Sequence, residues 1–270
     1  MGKALELIGC SATAPGAGAA FAAVAGNSLQ IRNHRSKAYL VALGAIRQTA
    51  GFTRITSPLL HDSTVGIQYR NPAAGALATP LHAIQELYSQ DQLNVFGSGS
   101  ATAGDIEVST LTAFYEDLPG VEANLITEDE VARRGEEIYS FMNTVVATGA
   151  GGYTGSQAIN TLQDQFKANR EYAILGITID VADDPNAAVR YVGPDWGNLG
   201  VGVPIGGDDP QQNAEWFLRL SRKSGKPTVP VFNAANKALT FISILANENG
   251  VSTSLTTTCV LLAPRAAGRR

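Results

Sequence analysis

Residues 53–71 (TRITSPLLHDSTVGIQYRN) and residues 189–207 (VRYVGPDWGNLGVGVPIGG) share one layout. Each stretch begins with a short run of β-branched and aromatic residues, turns at a Pro, and continues into a second β-type run. Such residues favour strands, and Pro, Gly, Asn and Asp mark the turns between them. The two stretches therefore predict the same strand–turn–strand unit in each half of the chain.

The likeness extends beyond these stretches, since residues 53–96 align without a gap with residues 189–232. The matched positions fall on two predicted strands, a helix and a further strand, in the same order. A repeat of this length is a whole domain rather than a solenoid unit. The alternative is that two unrelated β domains share a composition. We predict a duplication, on the identical pairs Arg54/Arg190, Pro58/Pro194, Val65/Val201, Gly66/Gly202, Ala78/Ala214, Val95/Val231 and Phe96/Phe232.

Short β-type runs punctuated by turn residues fill most of the remaining chain, which predicts an all-β class with a few helices. A helical spacing of apolar residues, or a capped start, predicts the helices at Pro80–Tyr88, Thr127–Arg134, Ser156–Asn169 and Gln211–Arg222. The first and last of these are expected to be equivalent in the two halves.

The predicted organisation is two β-sandwiches, residues 28–120 and 136–264, joined by a linker at residues 121–135. An Ala/Gly-rich arm at residues 1–27 precedes them, and a basic tail at residues 265–270 follows. Ala and Gly bury too little surface to offset the entropy of ordering, about 1–2 kcal/mol per residue. We therefore expect the arm to lie on a neighbouring subunit or under its own domain.

The composition excludes several classes of function. With 16% charged residues and a net charge of −4, the chain has no general basic field for nucleic acid. A neutral surface suits packing against neighbours. Two cysteines, Cys10 and Cys259, exclude a disulfide framework, and the three histidines His34, His61 and His82 do not have zinc-ligand spacing. We expect a cytoplasmic product without a signal peptide or membrane span.

One motif favours a different class of protein. Val145–Gly155 runs from a β-type segment into a predicted helix and resembles the glycine-rich turn of short-chain dehydrogenase-type Rossmann proteins. That resemblance implies that Gly149, Gly152 and Gly155 cradle a pyrophosphate of NAD(P) and that Asp180 holds a ribose. However, the preceding run alternates like an antiparallel strand, and no Tyr-x-x-x-Lys pair follows. The alternative is that this segment is a glycine-rich loop that binds no ligand.

The remaining polar clusters have ordinary structural interpretations. His61-Asp62 reads as a surface turn, and the Asp-Pro segments at residues 183–186 and 208–210 read as turns rather than calcium sites. Trp196 and Trp216 are expected to be core or interface anchors. We therefore predict no enzyme, and no catalytic, cofactor-binding or metal-binding residue.

Two tandem sandwiches, a small-residue arm, low charge and the lack of an active-site motif resemble the double jelly-roll major capsid proteins of icosahedral viruses or phages. The resemblance implies two tandem jelly-roll-like sandwiches and a self-assembling protein that forms pseudo-hexagonal trimeric capsomers. Its expected partners are copies of itself and other virion proteins, with Arg265, Arg269 and Arg270 contacting genome or neighbouring subunits. The expected location is the virion, after synthesis in the host cytoplasm. The alternatives are a duplicated-sandwich tail-tube or decoration protein and the Rossmann oxidoreductase.

Overall fold

A computed structural model of the chain describes most of its 270 residues. The described residues are 2–13, 22–47, 51–60, 66–71, 75–98, 106–148, 153–159, 166–180, 187–205, 213–246 and 249–265.

Eight strands in the first half form two four-stranded antiparallel sheets. Their order is β1-β8-β3-β6 in one sheet and β2-β7-β4-β5 in the other. The strands are β1 (Ala4–Thr13), β2 (Ala22–Gln30), β3 (Ala38–Arg47), β4 (Gly51–Thr56), β5 (Ile67–Asn71), β6 (Gly75–Leu87), β7 (Gln92–Gly97) and β8 (Ile106–Tyr115).

The second half repeats this arrangement strand for strand. Its sheets have the orders β10-β17-β12-β15 and β11-β16-β13-β14, and the two-residue strand β9 (Leu125–Ile126) extends the first of them beyond β15. The strands are β10 (Gly135–Thr148), β11 (Thr154–Ala158), β12 (Glu171–Asp180), β13 (Ala187–Val192), β14 (Gly200–Ile205), β15 (Val229–Asn233), β16 (Phe241–Ala246) and β17 (Asn249–Leu262).

These strand orders define a jelly roll in each half of the chain. Numbering the eight strands of a unit in sequence, both units have one sheet in the order 1-8-3-6 and the other in the order 2-7-4-5. The protein is thus all-β, built from two tandem jelly rolls, which we call the first roll and the second roll. The predicted fold class is confirmed.

A shared irregularity supports the duplication. Strand β3 has a bulge between Leu40 and Ala42, and its equivalent β12 has a bulge between Ile174 and Gly176. A bulge places one extra residue in a strand and is a specific feature of a fold rather than a random defect. Its recurrence at the same place fixes the residue equivalence of the two sheets.

The ungapped alignment from the sequence holds for only part of its length. It correctly pairs β4 with β13, so Arg54 and Arg190 are equivalent. Further on it pairs β7 with β15, which are different strands of their rolls. The cause is the connection between β14 and β15, which contains helix α2 (Trp216–Ser224), whereas only residues 72–74 separate β5 from β6.

Two of the predicted helices are wrong where the structure describes them. Pro80–Tyr88 lies almost entirely in strand β6, which pairs with β3 on both sides of residues 81–84. At the second site, Ser156–Ala158 belongs to β11, and residues 160–165 lie outside the described residues. The helix predicted at Gln211–Arg222 is confirmed in outline by α2, and Thr127–Arg134 by α1 (Glu128–Arg134), which Thr127 caps through the amide of Glu130.

The predicted N-terminal arm is wrong for the residues that the structure describes. Ala4–Thr13 forms β1 and pairs with β8 over ten consecutive residues, and β2 also begins before residue 28. Leu5 and Leu7 are buried, so this segment belongs to the core of the molecule. Residues 14–21 lie outside the described residues.

Strand β8 is buried on both faces and joins the two rolls. One face, with Leu111, Ala113 and Tyr115, lies in the core of the first roll. The other face contacts the second roll, since Phe114 belongs to the second roll's core cluster and Val108 packs with Ala188 and Leu245. The first roll therefore packs its β1-β8-β3-β6 sheet on the β11-β16-β13-β14 sheet of the second.

Candidate assembly surface

Strand β10 presents apolar side chains to solvent on one face only. Phe141 and Val145 point into the core of the second roll, and the alternating residues Ile138, Met142 and Val146 are 74%, 55% and 44% exposed. β10 is also the edge strand of its sheet. Exposed apolar side chains that line up on one strand mark an interaction surface more often than isolated ones do.

The neighbouring strand β17 continues this surface with hydroxyl side chains. Leu255, Thr257 and Cys259 are buried, whereas the alternating residues Ser254, Thr256 and Thr258 are half-buried on the outside. Thr256 pairs with Met142 across the strands, and Thr258 pairs with Ser140. We call the outward residues Ile138, Ser140, Met142, Thr144, Val146, Ser254, Thr256 and Thr258 the open face; none of them is charged.

The equivalent surface of the first roll is covered. Six of its outward residues on β1 and β8, which we call the covered face, are at most 1% exposed. They contact the second roll in the same chain, and they are Leu5, Leu7, Val108, Thr110, Thr112 and Phe114. The equivalent strand pairs thus have two environments, since β1 and β8 pack against the second roll whereas the open face of β10 and β17 faces solvent. On the next strand, β12, residues 213 and 214 cover the sheet at Gly176.

The far side of the first roll carries aromatic and cationic side chains. On its β2-β7-β4-β5 sheet, Arg54 lies over the ring of Phe96 at 4.9 Å and Arg70 over the ring of Phe52 at 5.5 Å. The outward-facing residues Phe52, Arg54, Gln68, Arg70 and Phe96 form what we call the aromatic face. A guanidinium stacked on an aromatic ring is weakly hydrated and suits burial in an interface.

A polar cluster fixes the linker between the rolls to the end of the second roll. Arg134, buried at the end of α1, donates to the carbonyl of Ala263 at 3.1 Å and to Glu171 at 2.6 Å. Asn124 donates to the other oxygen of Glu171 at 3.2 Å and accepts from Arg265 at 3.0 Å. A cleft of about 480 Å³ borders these groups. Because the groups already bind one another, the cluster has a structural role and holds the linker on the second roll.

We predict that Arg134→Met lowers the free energy of unfolding by about 1.5–3 kcal/mol, because it leaves a carboxylate and a carbonyl without their charged donor. Partial burial raises the pKa of the Glu171 carboxyl, but hydrogen bonds from Arg134 and Asn124 outweigh it, so the pKa lies below its usual range. The contribution is therefore present at neutral pH and is lost as the pH falls through the lowered pKa.

Denaturant unfolding at pH 7 and near pH 3 tests this prediction. The difference between wild type and Arg134→Met should be larger at pH 7. The matched control is Arg133→Met, an exposed neighbour on the same helix. An equal loss of stability in both variants would contradict this structural role of Arg134.

The structure does not assemble the nucleotide site of the alternative Rossmann interpretation. Gly149 and Gly152 lie outside the described residues, and Gly155 is in strand β11 rather than at the start of a helix. Asp180 is the last residue of β12, which pairs antiparallel with β15 and β17. A Rossmann unit needs parallel strands joined by a helix, and all pairings in the described part of the chain are antiparallel.

The other singled-out residues are dispersed. Trp196 and Trp216 are fully buried, which confirms them as core anchors. Burial raises the pKa of the Cys10 thiol, with Glu107 adding to the effect, and that of the Cys259 thiol, each to about 12. His34 contacts the carbonyl of Ser36 at 2.5 Å and the ring of Tyr115.

Several predicted features cannot be placed. His61-Asp62, the two Asp-Pro segments, and Arg269 and Arg270 of the tail lie outside the described residues, and so does the side chain of His82. In the described ranges, no three His, Cys, Asp or Glu side chains come together as a metal site would require.

Helices that could cross a membrane are also absent from the described part of the chain, since none there is long and apolar enough.

The alternation of residues on β10 was visible in the sequence as a half-exposed pattern. Its role as an uncovered surface was not, because that depends on which sheet the other roll covers.

No protein-family model and no curated protein matches the chain. Among solved structures, it is similar to the major capsid protein P2 of bacteriophage PM2, with 10% identity over 97% of this chain and 98% of that chain and a TM-score of 0.23. A chain from the structure of Sulfolobus Turreted Icosahedral Virus shows 10% identity over 98% and 81%, with a TM-score of 0.24. The enzyme N-glycanase F is similar to the same degree, with 12% identity over 97% and 96% and a TM-score of 0.24. Such weak likenesses do not establish a function, and the jelly-roll assignment rests on the strand orders.

Proposed function

We propose that this chain is a virion structural protein, a major capsid protein that assembles from copies of itself into pseudo-hexagonal trimers. The observation that carries the proposal is the pair of jelly rolls packed side by side, with one face covered within the chain and its equivalent on β10 and β17 left open and uncharged, with Ile138, Met142 and Val146 exposed. A monomer in solution would gain nothing from such a face, whereas a subunit of a shell uses it for contact.

The pseudo-hexagonal arrangement follows from the duplication. Three copies of a two-roll chain present six similar rolls, so a trimer fits a position with six neighbours while each chain meets only two others in the ring. Contacts of Arg265, Arg269 and Arg270 with genome or neighbouring subunits, and contacts with other virion proteins, belong to the same proposal. So do residence in the virion and synthesis in the host cytoplasm.

Light scattering on the purified chain tests the proposal. We expect a particle of three times the 28.3 kDa chain mass, or larger shells built from it. Negative-stain microscopy then separates the alternatives, since a tail-tube protein forms stacked rings and a shell protein forms closed particles or hexagonal sheets. A strict monomer at high concentration would contradict the proposal.

A ligand experiment distinguishes this function from the oxidoreductase alternative. We expect millimolar NAD or NADP to leave the melting temperature unchanged, because the strand pairing around Gly155 and Asp180 is antiparallel. A site with micromolar affinity would contribute about 4 kcal/mol at a thousandfold excess of ligand. Thermal unfolding with and without the dinucleotide measures this, and ATP serves as the control for nonspecific effects; a rise of several degrees with NAD alone would favour the enzyme.

A further inference from the structure

The bulges shared by β3 and β12 set the residue equivalence between the covered face and the open face. Counting from them, Ala42 corresponds to Gly176, and the strand partners follow: Leu7 corresponds to Ser140. One pair further along, Leu5 corresponds to Ile138. Leu5 is fully buried and Ile138 is 74% exposed, although the two occupy the same place in their rolls.

The covered face shows what fits against this sheet. The two rolls approach closely, since a β-carbon on Gly202 of β14 would lie 2.8 Å from Leu7 Cδ2, and a β-carbon on Gly44 would lie 2.8 Å from Pro204 Cβ. Next to Leu7 and Gly44, the occupant of the covered face is thus the outer surface of the second roll's β11-β16-β13-β14 sheet. Helix α2 packs on the same sheet of the first roll at β3 and β6.

The first roll has an equivalent of that occupant, and it is the aromatic face. Arg190 on β13 corresponds to Arg54 on β4, and their cross-strand partners Gly202 and Gln68 therefore correspond as well. Each arginine lies over an aromatic ring, although the two rings occupy different positions: Arg190 lies over Tyr153, just before β11, at 3.7 Å, and Arg54 lies over Phe96 of β7 at 4.9 Å. Within the chain Arg190 lies beside the roll–roll contact, and its equivalent Arg54 lies on the far side of the first roll.

We infer that the open face of one copy packs against the aromatic face of a second copy, in the way that the first roll packs on the second within the chain. The inference rests on the proposed function and names the surfaces that assembly uses. The contact is heterologous, so each copy uses its open face towards one neighbour and its aromatic face towards the other, which generates a ring when the rotation closes.

The equivalence specifies a pair of residues to join. Since Leu7 meets Gly202 within the chain, Ser140 of one copy should meet Gln68 of the next. The double variant Ser140→Cys/Gln68→Cys should form intermolecular disulfides on mild oxidation, seen as covalent oligomers on a non-reducing gel. The native thiols, half-buried Cys10 and buried Cys259, are present in the wild type, whose behaviour under the same oxidation gives the background.

The matched control replaces the open-face position with one outside it. Leu239 is 60% exposed on the 3-10 turn between β15 and β16, so Leu239→Cys/Gln68→Cys should give no oligomer. Equal cross-linking in the two variants, or none in either while the wild type is oligomeric by light scattering, overturns the inference.

A charge variant tests the same contact without a covalent bond. Ile138→Arg places a cation opposite a face that carries Arg54 and Arg70, and we expect association to weaken about 100-fold. Leu239→Arg is the control, with association unchanged and circular dichroism showing that both variants fold.

The outcomes separate this inference from the proposed function. A folded Ile138→Arg variant that remains as oligomeric as wild type overturns the inference alone, since assembly then uses another surface. A wild-type chain that stays monomeric overturns both. Cross-linked chains that grow beyond three copies support the contact between the faces but contradict the trimer.

Discussion

Deletion of residues 2–13 is expected to abolish folding of the first roll. These residues supply β1, which contributes ten consecutive pairs to β8 and the buried side chains Ala4, Leu5 and Leu7. Without β1, the first roll loses part of its buried core and part of its contact with the second roll. Replacing a single buried leucine with alanine costs about 2–5 kcal/mol, and the deletion removes two together with a whole strand.

Circular dichroism and hydrogen exchange of the deletion variant measure the loss, which should appear as unprotected amides throughout residues 22–115. The point variant Leu5→Asp should reproduce most of the effect, because it buries a charge at the roll–roll contact. Lys3→Asp also introduces a carboxylate, at an exposed position next to β1, and should be tolerated. A deletion variant that keeps a folded first roll and loses only assembly would restore the interpretation of this segment as an external arm.

Trp196→Ala is expected to lower the free energy of unfolding by about 3–5 kcal/mol, the usual cost of removing a buried Trp. Trp196 is fully buried in the connection between β13 and β14, with its ring 6.2 Å from that of Tyr191. It belongs to the core cluster that spans both rolls, and the adjacent Gly197 adopts a left-handed conformation that positions it. The cavity left by alanine therefore lies at a site that cannot easily collapse.

Denaturant unfolding measures this loss, and Trp196→Phe should recover part of it by filling some of the volume. Leu59→Ala provides the matched control, because Leu59 is an apolar side chain in the equivalent connection of the first roll and is 54% exposed. Its change should stay within about 0.5 kcal/mol. Comparable losses in Trp196→Ala and Leu59→Ala would show that Trp196 is not an anchor of the core.

The class of fold could be predicted from the sequence because most strands are local signals. The runs that became β3, β4, β8, β12 and β17 are rich in β-branched residues and end at turn residues, which needs no knowledge of the tertiary contacts. The capped helix α1 was predictable for the same reason.

The wrong predictions have a common physical cause, which is tertiary contact that the local sequence pattern does not show. In β6, apolar residues at helical spacing favoured a helix, but pairing with β3 decided the conformation. In β1, Leu5 faces the second roll, Ala4 lies in the core of the first, and Glu6 is buried in an ion pair with Arg32, so residues 4–7 show no alternation of buried and exposed positions. Tertiary context overrides local patterns at such positions.

The candidate surface was only half predictable. Alternation along Ile138–Val146 marks a strand with one side outside, but the sequence does not say whether another chain covers that side. The aromatic face depends on cross-strand pairs such as Arg54 with Phe96 and Phe52 with Arg70, whose register is a property of the folded sheet.

The double burial of β8 has a consequence for synthesis on the ribosome. Once residue 115 has emerged, the first roll has all its strands, but its β1-β8 sheet still presents Leu5, Leu7, Val108 and Phe114 to water. The surface that covers them is translated later, and β17, which completes the second roll, ends at Leu262. At about 5–20 residues per second, the remaining residues take on the order of ten to thirty seconds to appear. During that interval the nascent chain exposes an apolar sheet that can aggregate. The yield of the protein in a cell should therefore depend on chaperones that bind nascent chains and on the speed of translation through the second half.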